Sequence, residues 1–167
     1  AQAVGRIDHA NIVDIYDVGE HEGSTFLVME YLQGETLSKA VDRGALEARQ
    51  VIQLLLPAMR GVAAAHKTGV IHRDLKPDNI FLCRESDGGY REPKVLDFGI
   101  SKVQSAGTEA QAGSNLRLTR TGAVMGTPYY MSPEQIRGSS EVDQRTDVYA
   151  FGVILYEALT GRVPFDA

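Results

Sequence analysis

The stretch Val70–Leu82, V-I-H-R-D-L-K-P-D-N-I-F-L, constrains this chain more than any other. Two apolar runs, Val70-Ile71 and Ile80-Phe81-Leu82, enclose a segment that carries His72, Arg73, Asp74, Lys76 and Asn79. Short apolar runs bounded by polar turn residues read as strands, so the expectation is a loop held between two short strands. Side chains able to move protons, hold phosphate or bind a metal are then gathered where the chain is neither helix nor core, the usual setting for binding and catalysis. One charged residue in a loop is ordinary surface; the crowding of the whole string is what points to chemistry.

Periodicity orders the rest of the chain around this stretch. Ala1–Asp8 reads as the tail of a helix. Ile12–Val18 alternates apolar and polar residues, and Thr25–Met29 is a second apolar run across the turn G-E-H-E-G, which predicts a hairpin. Gly34 is expected to break the strand before a short helix over Thr36–Arg43. From Leu46 to Lys67, Val51, Leu54, Leu55, Ala58, Met59, Val62 and Ala65 recur at helical spacing and form one apolar stripe. Pro57 is expected to bend that helix and Gly69 to stop it, so the helix delivers the chain into Val70. A polar turn over Cys83–Pro93 leads to a third strand, Lys94-Val95-Leu96, ending at Asp97-Phe98-Gly99. Residues 104–120 are small and polar without periodicity, which predicts a mobile loop. Asp143–Thr160 is hydrophobic nearly all round, which predicts a helix central to the core. The pattern starts within a helix and stops just after P-F-D, as expected of a piece of a longer domain.

Composition excludes several classes. With 167 residues, 43% hydrophobic and 23% charged, the chain suits a single globular domain. A net charge of -5 argues against nucleic acid or an anionic membrane as the main partner, because both call for a basic face. One cysteine, Cys83, excludes an internal disulfide or a Cys-rich metal site; it reads as a small residue at the end of a buried strand, in keeping with a reducing, cytoplasmic compartment. The longest largely apolar run, Val148–Leu159, is too short and interrupted to span a bilayer.

Phosphoryl transfer from a nucleotide needs metal ions to neutralise phosphate charge, a cation near the moving group and an acceptor that orients the attacking hydroxyl. Asn79 and Asp97 supply hard oxygen ligands suited to magnesium, Lys76 the cation and Asp74 the acceptor. Asp74 and Asn79 flank one turn and Asp97 ends a neighbouring strand, so the three are expected to converge.

H-R-D-L-K-P-D-N, then D-F-G, then S-P-E, in that order, resembles the catalytic loop, metal loop and activation-segment end of Hanks-type (eukaryotic-like) protein kinases. M-E-Y-L-Q-G-E-T-L and G-T-P-Y-Y-M-S-P-E-Q bring the resemblance close to bacterial members, and it covers essentially the whole chain. It implies an α+β protein-kinase-like fold, mostly the helical C-lobe with a residual part of the N-lobe sheet. Residues 1–32 would be the end of the N-lobe and hinge, and 33–167 the C-lobe with activation segment 97–134. The implied activity is transfer of the ATP γ-phosphate, with Mg2+, to Ser/Thr hydroxyls of proteins, the protein itself included.

Carried over by position, Asp74 is the catalytic base, Lys76 meets the γ-phosphate, and Asn79 and Asp97 hold magnesium. Met29 falls at the gatekeeper position and Glu30, Tyr31 and Leu32 at the hinge that meets adenine, with Phe81 beneath the ring. His72, Phe98 and Ile15 resemble members of a packed spine, and Asp147 a brace for the catalytic loop. Arg73 resembles the residue that reads a phosphorylated activation loop, with Thr119 and Thr121 as acceptors and Ser105, Thr108 and Ser114 as weaker ones; a guanidinium holds phosphate by two parallel hydrogen bonds. Thr127 matches a residue of the substrate platform. The chain departs from the family pattern in lacking a Gly-rich loop, the V-A-I-K lysine and its helix Glu, so these residues alone are not expected to turn over. A regulatory nucleotide-binding scaffold and, further off, a small-molecule phosphotransferase are the competing readings. A membrane anchor elsewhere in a parent protein is compatible with all of them.

Overall fold

The computed structural model describes residues 7–22, 24–84, 90–98, 128–139 and 142–165. Two antiparallel sheets and two long helices make an α+β arrangement. Strands β1 (Ile15–His21) and β2 (Ser24–Met29) form the expected hairpin. It starts later than the alternation implied, because Ile12 and Val13 are buried against another strand: Val13 N–H donates to the Val95 carbonyl at 3.0 Å, and Val95 N–H to that of Asn11 at 2.8 Å. Ile7 and Asp8 are not helical, and 1–6 of the expected helix tail lie outside the described residues.

The second sheet has the order β3-β4-β5, with β3 at Gly34–Thr36, β4 at Ile80–Arg84 and β5 at Tyr90–Val95. Gly34 opens a strand instead of only ending one. It pairs with Cys83 at φ 153°, and a Cβ there would lie 2.0 Å from the Leu82 carbonyl oxygen, so only glycine lets these backbones approach. On β4 the alternation turns Ile80 and Leu82 into the core and leaves Cys83 and Phe81 half-buried on the other face.

Under the sheet lie α1 (Leu37–Val41) and α2 (Ala48–Lys67). The stripe read from the sequence is the buried face of α2, with Gly61 added and Met59 half-buried beside the core. Pro57 has no N–H for the helical ladder, yet α2 runs through it without interruption. Thr68 and Gly69 N–H groups close the last turn on the Ala65 and His66 carbonyls, both at 3.0 Å, and Gly69 takes the left-handed φ of 78° that turns the chain into Val70. The core is completed by Ala150, Phe151, Ile154 and Ala158 of α4 (Arg145–Thr160), which follows the short α3 (Pro133–Ile136).

Two further expectations are corrected. Val70-Ile71 joins no sheet, so the polar stretch is flanked by a strand on its downstream side alone. The reason lies in the next residues, whose backbone groups are taken by side chains and not by a neighbouring strand. Helix α4 is not enclosed all round: Val148 is 65% exposed, and Leu155, Tyr156 and Leu159 also face outward among the described residues. Apolar composition on every side gives a helix no second partner; the packed face is the one that meets α2 and the Pro128–Tyr130 turn.

Candidate active site

The extended segment after Gly69 has no ladder to satisfy its backbone, and buried peptide groups left unpaired are costly. Side chains from three elements do the work. Asp147 of α4, 1% exposed, accepts the His72 N–H on Oδ2 and the Arg73 N–H on Oδ1, both at 2.9 Å. The Arg73 carbonyl accepts from Gln135 Nε2 at 2.7 Å. Asp74 N–H donates to His72 Nδ1 at 3.3 Å, and the Asp74 carbonyl accepts from Asn79 Nδ2 at 2.8 Å. The brace expected of Asp147 is therefore present, in the form of a carboxylate clamping two successive amides.

The His72 tautomer follows from its partners. The Leu96 carbonyl, 2.8 Å from Nε2, can only accept, so Nε2 carries the proton; Asp74 N–H can only donate, so Nδ1 offers its lone pair. Burial pushes the His72 pKa down, against the smaller opposing pull of the Leu96 carbonyl and nearby carboxylates. The ring stays neutral, as the Nδ1 acceptor role requires. Phe98 packs edge-on against it, ring centroids 4.8 Å apart, while Ile15 starts β1.

With its backbone immobilised, Asp74 presents an exposed carboxylate whose Oδ2 is 3.0 Å from Lys76 Nζ. Asn79 ends a 3-10 turn, Pro77–Asn79, and its carbonyl accepts the Leu96 N–H at 2.9 Å. That bond sets the start of D-F-G beside the turn, so Asp74, Lys76, Asn79 and Asp97 belong to one locality. Asp97 is exposed and takes a left-handed φ of 60°, as Arg73 does at 69°. Non-glycine residues in this region are uncommon and tend to sit at functional sites.

The donor chemistry fits the magnesium implied by the resemblance. The Asn79 amide NH2 is used on the Asp74 carbonyl, which leaves its oxygen for a hard cation, and Asp97 offers carboxylate oxygens next along. Arg73 fits an anion: its Nε is buried and has no hydrogen-bond partner. A buried guanidinium nitrogen without an acceptor carries a desolvation cost that a phosphate would relieve. Thr119, Thr121 and Thr127, with Ser105, Thr108, Ser114 and the loop over 104–120, lie outside the described residues.

Met29 ends β2 opposite Ile15, and Glu30, Tyr31 and Leu32 lead away to β3. Glu30 accepts from Asp14 N–H at 2.9 Å and from Lys94 of β5, which ties this connector to the second sheet. A cleft of about 490 Å³ runs along Glu30, Tyr31, Leu32 and Gln33 to Cys83 and Lys94, without reaching Asp74 or Asn79. Tyr31 is exposed, and Phe81 lies on the non-core face of β4.

Two residues of the assembly escaped the sequence reading. His66 Nε2 donates to Asp147 Oδ2 at 2.7 Å. Its signal was spacing, one helical turn beyond Val62 on the apolar stripe. Gln135 showed as the third residue after Ser132 in S-P-E-Q, the capping-box interval, and its side chain does accept the Ser132 N–H at 3.1 Å.

The protein kinase domain family matches the chain over residues 1–167. The serine/threonine-protein kinase pkn3 of Myxococcus xanthus is 42% identical over 172 residues, covering 100% of this chain and 30% of that protein. Pkn1 of the same organism, also a serine/threonine-protein kinase, is 45% identical over 99% of this chain and 22% of its own length. Serine/threonine-protein kinase PknL of Mycobacterium tuberculosis is 40% identical over 99% of this chain and 38% of its own length. The chain thus spans well under half the length of these relatives.

Proposed function

The chain belongs to the protein kinase domain family, and from that premise we propose that its parent protein transfers the γ-phosphate of ATP to serine or threonine hydroxyls of proteins, its own activation segment included. Residues 1–32 are read as the end of the N-lobe and hinge, 33–167 as the C-lobe. Protein kinases generally use ATP and magnesium, and here Asn79 and Asp97 would hold the metal while Met29, Glu30, Tyr31, Leu32 and Phe81 would meet the base. Bound metal would supply charge neutralisation on the phosphates. Asp74 would orient the acceptor hydroxyl and take its proton, and Lys76 would offset charge on the moving phosphoryl group. Arg73 would hold a phosphate on Thr119 or Thr121, and Thr127 would shape the platform for the acceptor peptide. The relatives' names support the Ser/Thr acceptor class. A cytoplasmic setting is part of the proposal; among the described residues no helix is long and apolar enough to cross a membrane.

One observation carries this reading: every backbone N–H and carbonyl from Arg73 N to Asp74 O is held, while the Asp74 carboxylate stays exposed beside Lys76. Rigid backbone under an accessible carboxylate suits a base more than a scaffold. Asp74→Asn in the full-length parent should lower phosphotransfer to a protein acceptor by at least about 100-fold. Unfolding free energy should move by no more than about 0.5 kcal/mol, because the side chain is exposed. Undiminished turnover would refute the assignment.

A further inference from the structure

We propose that Gln135 is a positioning residue for phosphotransfer, a single side chain through which α3 sets the peptide that carries Asp74. The inference rests on the protein kinase reading above. Its starting point is the conformation of Arg73. A non-glycine residue at φ 69° needs the peptides on both sides held, or it relaxes to a more populated region. The peptide before Arg73 is held by Asp147 through the Arg73 N–H at 2.9 Å. The peptide after it, which leads into Asp74, is held through its carbonyl by Gln135 Nε2 at 2.7 Å and through the Asp74 N–H by His72 Nδ1 at 3.3 Å. The 3.3 Å contact is the longer and weaker of that pair, so the orientation of this peptide depends mainly on Gln135.

The direction of each bond in the Gln135 network is set by chemistry. Ser132 N–H can only donate and the Arg73 carbonyl can only accept, so the amide oxygen faces Ser132 and the NH2 faces Arg73. The same oxygen accepts from the Thr146 hydroxyl at 2.6 Å; Thr146 Oγ1 therefore receives the Ser132 hydroxyl proton, also at 2.6 Å. Ser132 Oγ in turn accepts the Gln135 N–H at 3.4 Å. Ser132 and Thr146 are 0% and 1% exposed, so their end of the network is screened from water, while Gln135 itself is half-buried. Thr146 also adjoins Asp147, which closes a ring: Asp147 to the Arg73 amide, the Arg73 carbonyl to Gln135, Gln135 to Thr146. An ionised carboxylate or an apolar side chain cannot fill both roles of the Gln135 amide. Displacing α3 would carry Nε2 off the Arg73 carbonyl and release the peptide under Asp74, which gives the end of the activation segment a direct hold on the base.

The test is Gln135→Glu in the full-length parent, with Gln135→Met as the second variant. Gln135→Glu keeps the acceptor for Ser132 and Thr146 and, when ionised, turns a lone pair on the Arg73 carbonyl; Gln135→Met removes both functions at similar volume. Loss of this half-buried hydrogen bond, with its carbonyl left without a protein donor, corresponds to about a 5- to 30-fold fall in kcat for Gln135→Glu. KM for ATP and for the acceptor protein should stay within about twofold, because the defect lies in positioning and not in binding. Amide hydrogen exchange at Asp74 should quicken by at least about tenfold in both variants, while exchange in the middle of α2 stays unchanged. The exchange reading needs no turnover, so it judges this proposal even if the kinase reading fails. Wild-type exchange rates at Asp74 in both variants, or wild-type kcat in Gln135→Met, would overturn it. A Gln135→Glu protein that loses α2 protection as well would mark a purely structural role and overturn it too.

Discussion

Replacing Asp147 by Asn tests the clamp at its strongest point. The carboxylate accepts from three donors, the His72 and Arg73 amides at 2.9 Å and His66 Nε2 at 2.7 Å. An amide of the same shape can turn its oxygen toward His72 and His66 or toward Arg73, and in either pose its NH2 confronts an N–H donor. In the better pose one buried amide is left unpaired, at about 1–3 kcal/mol, and two charge-assisted bonds become neutral ones, at about 0.5–1.5 kcal/mol each. The sum is about 2–6 kcal/mol, or a fall in Tm of roughly 5–20 °C for a domain in this size range. The assay is urea and thermal unfolding of the full-length parent, with Asp143→Asn as control. Asp143 bonds Arg145 at an exposed site, so removing its charge should cost no more than about 0.5 kcal/mol. A Tm within about 2 °C of wild type in Asp147→Asn would refute the reasoning, since it would mean the catalytic loop holds its shape without a charged acceptor.

Other positions give independent checks. Glu35, half of a bidentate pair with Arg43 at 2.7 and 2.8 Å, has its pKa pulled down from 4.5 to about 2, chiefly by Arg43 and then by Tyr90, against burial. The folded pKa is the depressed one, so this stabilisation is complete above about pH 4.5 and disappears as pH falls toward 2. Glu35→Gln should cost about 1–2 kcal/mol at neutral pH, an amount limited by solvent around Arg43, and should flatten that acid limb of the stability curve; an unchanged limb in urea titrations would contradict it. Gly34→Ala should cost more than about 2 kcal/mol, because the new Cβ meets the Leu82 carbonyl oxygen at 2.0 Å and β3 must separate from β4. Near-wild-type unfolding in that variant would show the approach to be adjustable.

Much of the scaffold was legible in the chain. The α2 stripe, the Gly69 stop, the β1–β2 hairpin and the strand at Ile80-Phe81-Leu82 were all readable because each depends on local periodicity, a bounded apolar run or one residue's backbone freedom. The Val70-Ile71 strand was misread for the complementary reason. An apolar pair states a wish to be buried, and whether its backbone finds a strand or side chains depends on what folds against it. Helix α4 shows the same limit: its composition named no preferred side, and packing against α2 and the Pro128–Tyr130 turn chose one.

The site divides along the same line. By itself the sequence determined the inventory, Asp74, Lys76, Asn79 and Asp97 at intervals that suit phosphoryl transfer, because residue type and short-range spacing decide which chemistry is available. Only the tertiary structure decided how that inventory is held. Asp147 is 75 positions from the His72 amide it accepts, and Gln135 is 62 from the Arg73 carbonyl it supports. Hydrogen bonds of that reach have no periodicity to announce them. They exist because an extended segment between a helix and a strand must satisfy its peptide groups with whatever donors and acceptors the fold brings alongside.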